Sequence, residues 1–320
     1  MPLRRSLIAC IAAAGLACST ASALAERIAF ATAARDSQVV DIFQGRTAYS
    51  ERIYGELRLP TKGSGPFPAM VIMHSSRGIV ASIDDWAAML NAMGIASFVV
   101  DSFAPRDISE ASAGQLGFAA GVVDALGALS VLRSDARIDG EKIGVMGFSR
   151  GAVAAMNSSF ERYRVAVLGS DGGRFAAHIV FYGGCAQYAR TTGSPILSFI
   201  GSDDDFSNAG LCLRQSEVLR QHGATIELVV YDGAVHGFDT DFAQQYMPRV
   251  TNFRNCLVLQ DLDSFAATLI DDRALSAAER ADYAKRCVGL GAVRGGDRKY
   301  AALARQRVKL FLAKHLGLAP

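Results

Sequence analysis

Gly147-Phe148-Ser149-Arg150-Gly151 decides the reading of this chain. It follows an apolar run, Lys142-Ile143-Gly144-Val145-Met146, and precedes a small-residue segment starting Ala152-Val153-Ala154-Ala155-Met156. A serine between two glycines, set between a strand and a helix, has the pattern of a nucleophile elbow. A serine exposed on a sharp, strained turn needs neighbours without side chains, because strand and helix pass very close together. The helix behind it also aims backbone N–H groups and a positive dipole end at the serine, which suits a developing oxyanion. The plain alternative is a glycine-rich turn with an incidental serine. The flanking strand and helix favour the elbow.

Outward from this turn, apolar runs alternate with helical patterns. Strands are expected over Ile53–Leu59, Ala69–Met73, Ala96–Val100, Ile143–Met146, His178–Tyr182, Ile196–Ile200 and Ile226–Tyr231. Helices are expected near Asp84–Met93, Gln115–Arg133, Ala152–Ser159, Ala209–His222 and Lys299–His315. Continuous apolar strands separated by helices predict an α/β fold, with a mostly parallel, doubly wound sheet covered on both faces. Ile53–Leu59 alternates more and reads as part of an antiparallel edge hairpin. The stretch 247–298 follows this rhythm least and reads as an irregular insertion in a single domain, 26–320.

The first 25 residues read as a signal peptide. Arg4 and Arg5 are its basic start, Leu7 to Ala17 its apolar stretch, and Ala23-Leu24-Ala25 a small-x-small cleavage site. The apolar part is short for a membrane span, so cleavage is favoured over a retained anchor, and export to a periplasmic or secreted location is expected. A lipoprotein at Cys18 fits poorly, because Gly15-Leu16-Ala17 departs from the usual small-residue pattern. Without Arg4 and Arg5 the 33 basic residues fall to 31, matching the 31 acidic ones. That balance argues against nucleic acid and against a polybasic membrane surface. Cys185, Cys212, Cys256 and Cys287 remain, an even set that an oxidising compartment would pair. None has C-x-x-C spacing, so a zinc site is not expected.

Serine is a weak nucleophile near neutral pH, so Ser149 needs a base, and the base needs an orienting acid. On a sheet of this kind both should follow the serine, on loops after later strands. Of the five histidines, His178 lies in a strand, His222 ends a helix, and His315 sits in the terminal helix. His236 lies in a glycine-flanked loop, Asp232-Gly233-Ala234-Val235-His236-Gly237-Phe238, and is the candidate base. His74 precedes the serine at the end of a buried strand, where a structural role is expected. The strand Ile196–Ile200 leads into Asp203-Asp204-Asp205, one of which should be the acid; spacing alone does not select among them. One oxyanion donor should be the N–H of Arg150. The second should come from the loop His74-Ser75-Ser76-Arg77-Gly78.

The ordered segments HSSRG, RIDGEKIGVMGFSRGA, FIGSDDDF and YDGAVHGFD resemble the dienelactone hydrolase family of the α/β-hydrolase superfamily, from about Ile53 to the last helix. The founding members resemble this chain but carry cysteine in the elbow, and a carboxylate where Ser75 stands here. Ser149 therefore implies an esterase-type member. Counting back from Asn208, where members often have proline, the resemblance implies Asp204 as the acid. It also implies Ser76 as the second N–H donor and a Cys185–Cys212 disulfide. The expected second bridge, Cys256–Cys287, would pin the insertion.

Together these features imply a serine hydrolase that cleaves a small-molecule ester or lactone through an acyl-enzyme, with no metal or organic cofactor. A prolyl oligopeptidase-like peptidase shares the elbow and the element order, but the chain has no room for a large gating domain. A non-catalytic binding protein on a hydrolase scaffold would not need an ordered nucleophile, acid and base. Arg77 and Arg106, on loops expected near the mouth, are candidates to pair with a substrate carboxylate.

Overall fold

The structure is a computed structural model and describes residues 25–318. The expected leader, with Cys10 and Cys18, lies outside the described residues up to position 24.

The main sheet draws on β1 (Glu26–Thr32), β2 (Glu51–Arg58), β3 (Phe67–Met73), β4 (Ala96–Asp101), β5 (Ile138–Phe148), β6 (Ala177–Phe181), β8 (Ile196–Gly201) and β9 (Ile226–Tyr231), while β7 (Gln187–Tyr188) lies apart. Its spatial order is β1-β2-β4-β3-β5-β6-β8-β9. From β4 to β9 every pairing is parallel, whereas β2 runs antiparallel to both β1 and β4. Ile53–Leu59 is thus one arm of a hairpin, but it is not the edge. The edge on that side is β1, which lies just after the stretch expected to be a leader.

The strands read as continuous apolar runs because both faces are covered. Val71 and Met73 point into one core, Met70 and Ile72 into the other, following the two-residue alternation of a strand. The first core is closed by α1 (Val39–Phe43), α3 (Phe118–Arg133) and α5 (Glu161–Leu168). The second is closed by α2 (Ala81–Ala92), α6 (Ala209–Gln221) and α8 (Arg298–His315). Helix α8 buries Ala304, Val308, Phe311 and Leu312, spaced to form one stripe, and Asp297 caps its start by accepting from the N–H groups of Lys299 and Tyr300. The short helix α4 (Arg150–Asn157) follows the elbow.

The stretch expected to be irregular is ordered. A long antiparallel ribbon pairs β10 (Gln245–Asn252) with β14 (Gly289–Arg294). Between them β11 (Val258–Asp261), β12 (Ala267–Leu269) and β13 (Ala274–Leu275) form a small sheet that takes in β7, followed by α7 (Ala277–Cys287). A capping box, with Ser276 and Glu279 exchanging hydrogen bonds, starts α7. Disulfides join Cys185 to Cys212 and Cys256 to Cys287. No helix among the described residues is long and apolar enough to cross a membrane.

Candidate active site

The elbow is as tight as its glycines imply. Ser149 has φ of 53° and ψ of −110°, a conformation that L-residues rarely adopt. A Cβ on Gly147 would lie 2.0 Å from the Gly151 carbonyl oxygen, and one on Gly151 would lie 2.1 Å from that of Met73. Only glycine lets the start of α4 press onto the ends of β3 and β5. That contact brings Ser149 to the point where strand order reverses between β3 and β5, at the carboxyl ends of the parallel strands.

Two loops complete the arrangement. His236 Nε2 lies 2.8 Å from Ser149 Oγ, and His236 Nδ1 lies 2.8 Å from Asp204 Oδ2. The other carboxylate oxygen of Asp204 accepts from the N–H groups of Phe206 and Ser207, at 2.8 and 2.9 Å. These partners divide the three aspartates. Asp203 accepts from the Ser202 hydroxyl. Asp205 accepts from Val293 N–H at 2.9 Å and pairs with Arg254, so it ties the ribbon to this loop.

Around the imidazole stand groups that the sequence did not single out. Tyr182, at φ of 43°, meets His236 edge to face with centroids 4.8 Å apart, and Phe206 lies 4.5 Å from the same ring. The Tyr182 hydroxyl donates to buried Asp239 at 2.6 Å, and Trp86 Nε1 donates to the same carboxylate at 2.8 Å. Burial raises the pKa of Asp239, against the lowering effect of those two hydrogen bonds. Burial, then the Asp239 charge, pushes Tyr182 well above its ordinary value. Asp239 directly follows His236-Gly237-Phe238, so an acidic residue after an apolar one was the available signal. Nothing in the sequence pointed to Tyr182 or Phe206.

The N–H groups of Ser76 and Arg150 donate no hydrogen bond among the described residues. The Arg150 side chain links their two loops: Nε lies 3.4 Å from Ser76 Oγ, Nη1 donates to Leu116 O at 2.6 Å, and the guanidinium lies over the Phe118 ring. Desolvation lowers the Arg150 pKa.

These features match a known family. Residues 54–260, about two thirds of the chain, match the profile of the dienelactone hydrolase family. The chain belongs to that family. A Bradyrhizobium protein described as a probable 2-oxo-3-(5-oxofuran-2-ylidene)propanoate lactonase is 24% identical over 206 residues, 58% of this chain and 79% of its own. Among solved structures, a dienelactone hydrolase-like promiscuous phosphotriesterase from metagenomic libraries superposes with a TM-score of 0.52 at 15% identity, covering 90% of this chain and 98% of its own. A thermophilic esterase of Thermogutta terrifontis, solved with propionate bound, gives 0.52 at 15% identity, covering 84% and 91%. At such identities the two structures establish the fold alone, an α/β-hydrolase fold.

Two expectations of the sequence meet different outcomes in this family member. Arg106 is not at the mouth: it is 1% exposed, and all five of its N–H donors are taken. They go to Glu51, to both oxygens of Asp124 at 2.8 and 2.9 Å, and to the carbonyls of Ser102 and Ala33. Asp124 is wholly buried in α3, and a buried carboxylate needs such a partner; that demand draws Arg106 inward. Arg77, by contrast, pairs with no carboxylate among the described residues. Its guanidinium lies 4.6 Å over Phe242, whose ring Arg294 also approaches, and its buried Nε has no partner among the described residues. His74 is fully committed: Nδ1 donates to Ser75 O at 2.7 Å and Nε2 accepts from Ser102 N–H at 3.2 Å, the tautomer following from those partners.

Proposed function

We propose that this chain is a serine hydrolase of carboxylic esters or lactones that works through an acyl-enzyme. One observation carries the reading: two 2.8 Å hydrogen bonds run from Ser149 through His236 to Asp204, with the serine held at positive φ on the elbow. Ser149 Oγ attacks the carbonyl carbon as His236 Nε2 takes its proton. The negative oxygen of the tetrahedral intermediate accepts from the unengaged N–H groups of Ser76 and Arg150, each worth roughly 10²–10³ in turnover in comparable sites. His236 returns the proton to the leaving alkoxide, and Asp204 stabilises the imidazolium while holding the ring in its tautomer. Water, activated by His236, then releases the acid.

Family membership supports an ester- or lactone-cleaving activity. The lactonase relative and the propionate-bound esterase favour small acyl groups, and Arg77, whose loop also carries Ser76, is the residue we assign to an anionic substituent. The reading includes no metal or organic cofactor. Two disulfides suit an oxidising compartment, so we infer export with removal of the leader. The test is a serine-directed phosphonate label run beside a screen of short acyl esters, lactones and dipeptide amides. Wild type should be labelled once and hydrolyse esters or lactones; Ser149→Ala should fold and lose both. Labelling that survives the substitution refutes the assignment of Ser149.

A further inference from the structure

The parallel sheet has a second end. At the amino ends of β5, β6 and β8 lies a cavity of about 510 Å³, formed by the end of α3, the start of α5 and the loops that lead into β6 and β8. Along β5 the seven residue steps from Glu141 to Phe148 separate it from the elbow by roughly 23 Å. We propose that this cavity binds a small molecule that carries a phosphate or sulfate group.

The argument rests on unequal donors and acceptors. Four arginines, Arg133, Arg164, Arg174 and Arg190, and two glutamates, Glu141 and Glu161, line the cavity. Glu161 is used up by Arg164, which reaches its two oxygens at 2.7 Å each and spends its remaining donors on the carbonyls of Gly169, Ser170 and Gly172. Glu141 pairs with Arg133 at 2.9 Å. That leaves two guanidiniums without a carboxylate. Arg174 makes a single hydrogen bond, from Nη1 to Thr192 O at 2.8 Å, and the Arg190 guanidinium has no hydrogen bond or ion pair among the described residues. Their field adds to the Arg164 hydrogen bonds in holding the Glu161 pKa below its ordinary value.

A third donor is independent of charge. Thr192 is 8% exposed, lines the cavity, and its buried hydroxyl has no partner among the described residues. Leaving a buried hydroxyl unpaired costs about 1–3 kcal/mol, a cost that a bound acceptor would remove. The floor is rigid: Thr192 N–H donates to Ser159 O at 2.7 Å and Glu161 N–H to Arg190 O at 2.9 Å. Gly173 is part of the shape, since a Cβ there would come within 2.5 Å of the Arg133 side chain. Two guanidiniums on different loops carry more N–H donors than the two oxygens of one carboxylate engage, which suits an oxyanion with three or four oxygens such as a phosphate or sulfate group. The volume falls in the range of roughly 300–1,000 Å³ typical of small-molecule sites and leaves room for an organic body beyond the acid group.

The test is titration calorimetry with inorganic phosphate, a hexose phosphate, a hexose sulfate and the unmodified hexose. Wild type is compared with the R174Q/R190Q double variant and with T192V. Both arginines are exposed, so the double variant should fold and keep its ester hydrolysis. The expected result is binding of phosphate and at least one hexose ester, none of the bare hexose, and a loss of about tenfold or more in affinity in the double variant. The preferred ester identifies the natural acid group. Absence of binding by every anion overturns the proposal. So does unchanged affinity in both variants, which would place the anion elsewhere, for example beside Arg77.

Discussion

His178 should make this protein lose stability steeply in mild acid. The ring sits at the second residue of β6, wholly buried, with Nδ1 2.9 Å from Ala155 O and Nε2 without a partner among the described residues. Desolvation lowers its pKa from the usual 6.5 to about 4, against the weaker opposing effect of the Ala155 hydrogen bond. The folded pKa lies below the unfolded one, so the unfolded chain binds the proton first and stability falls as pH falls. The loss begins near the unfolded pKa. It reaches about 2 kcal/mol by about pH 5 and levels off near about 3.4 kcal/mol once pH is below about 4. His74 is lowered in the same direction, chiefly by burial, and adds to the trend. Urea unfolding across a pH series, with disulfides intact, isolates the His178 share when wild type is compared with His178→Asn. The substitution has its own fixed cost, but only the pH dependence is read. Wild type should lose about 2 kcal/mol more than the variant between about pH 8 and pH 5. Parallel profiles would refute the assignment of a neutral, buried ring.

Three further outcomes follow from particular contacts. Asp204→Asn should lower kcat by orders of magnitude, as loss of the orienting acid does in comparable triads, while Asp203→Asn and Asp205→Asn should be mild; steady-state kinetics on one ester distinguishes them. Arg106→Met should destabilise by about 3–5 kcal/mol in chemical denaturation, because it strands Asp124, yet leave KM for an anionic ester unchanged in the folded fraction. Paired Cys256→Ser and Cys287→Ser substitutions should cost about 3–4 kcal/mol for a separation of 31 residues, and should also lower kcat, since the released ribbon holds the base loop. An unchanged kcat would mean that the ribbon does not position His236.

The elbow was legible because its constraint is local. Two glycines, a serine, a strand and a helix within about a dozen residues admit few geometries, and the steric requirement at Gly147 and Gly151 is written in the residues themselves. The parallel strands were legible for a similar reason, since burial on both faces makes each one an uninterrupted apolar run. The acid was not. Three consecutive aspartates have the same chemistry, and what separates them is the direction each side chain takes: into the imidazole for Asp204, towards Ser202 for Asp203, and towards the ribbon for Asp205. Family register, not residue type, made that choice in advance.

Arg106 shows a different limit. Loop position suggested the surface, but the informative residue was Asp124, a lone carboxylate in the apolar helix Phe118–Arg133. A charge on that face demands a partner from outside the helix, and the partner had to be a cation on a neighbouring loop. The insertion failed for a reason of distance. Strand β10 is largely polar, β14 is glycine-rich, and the two pair across some forty intervening residues, so no local period announces them. Yet this ribbon is what reaches the site: Gly295 N–H donates to His236 O, Asp297 N–H to Phe238 O, and Val293 N–H to Asp205. Ser149, the proposed nucleophile, is therefore held by a short-range turn, whereas the loops of His236 and Asp204 are held by a long-range ribbon closed with a disulfide. Weakening the ribbon should disturb proton transfer at His236 while leaving the elbow and its N–H donors in place, so phosphonate labelling should slow without the serine losing its geometry.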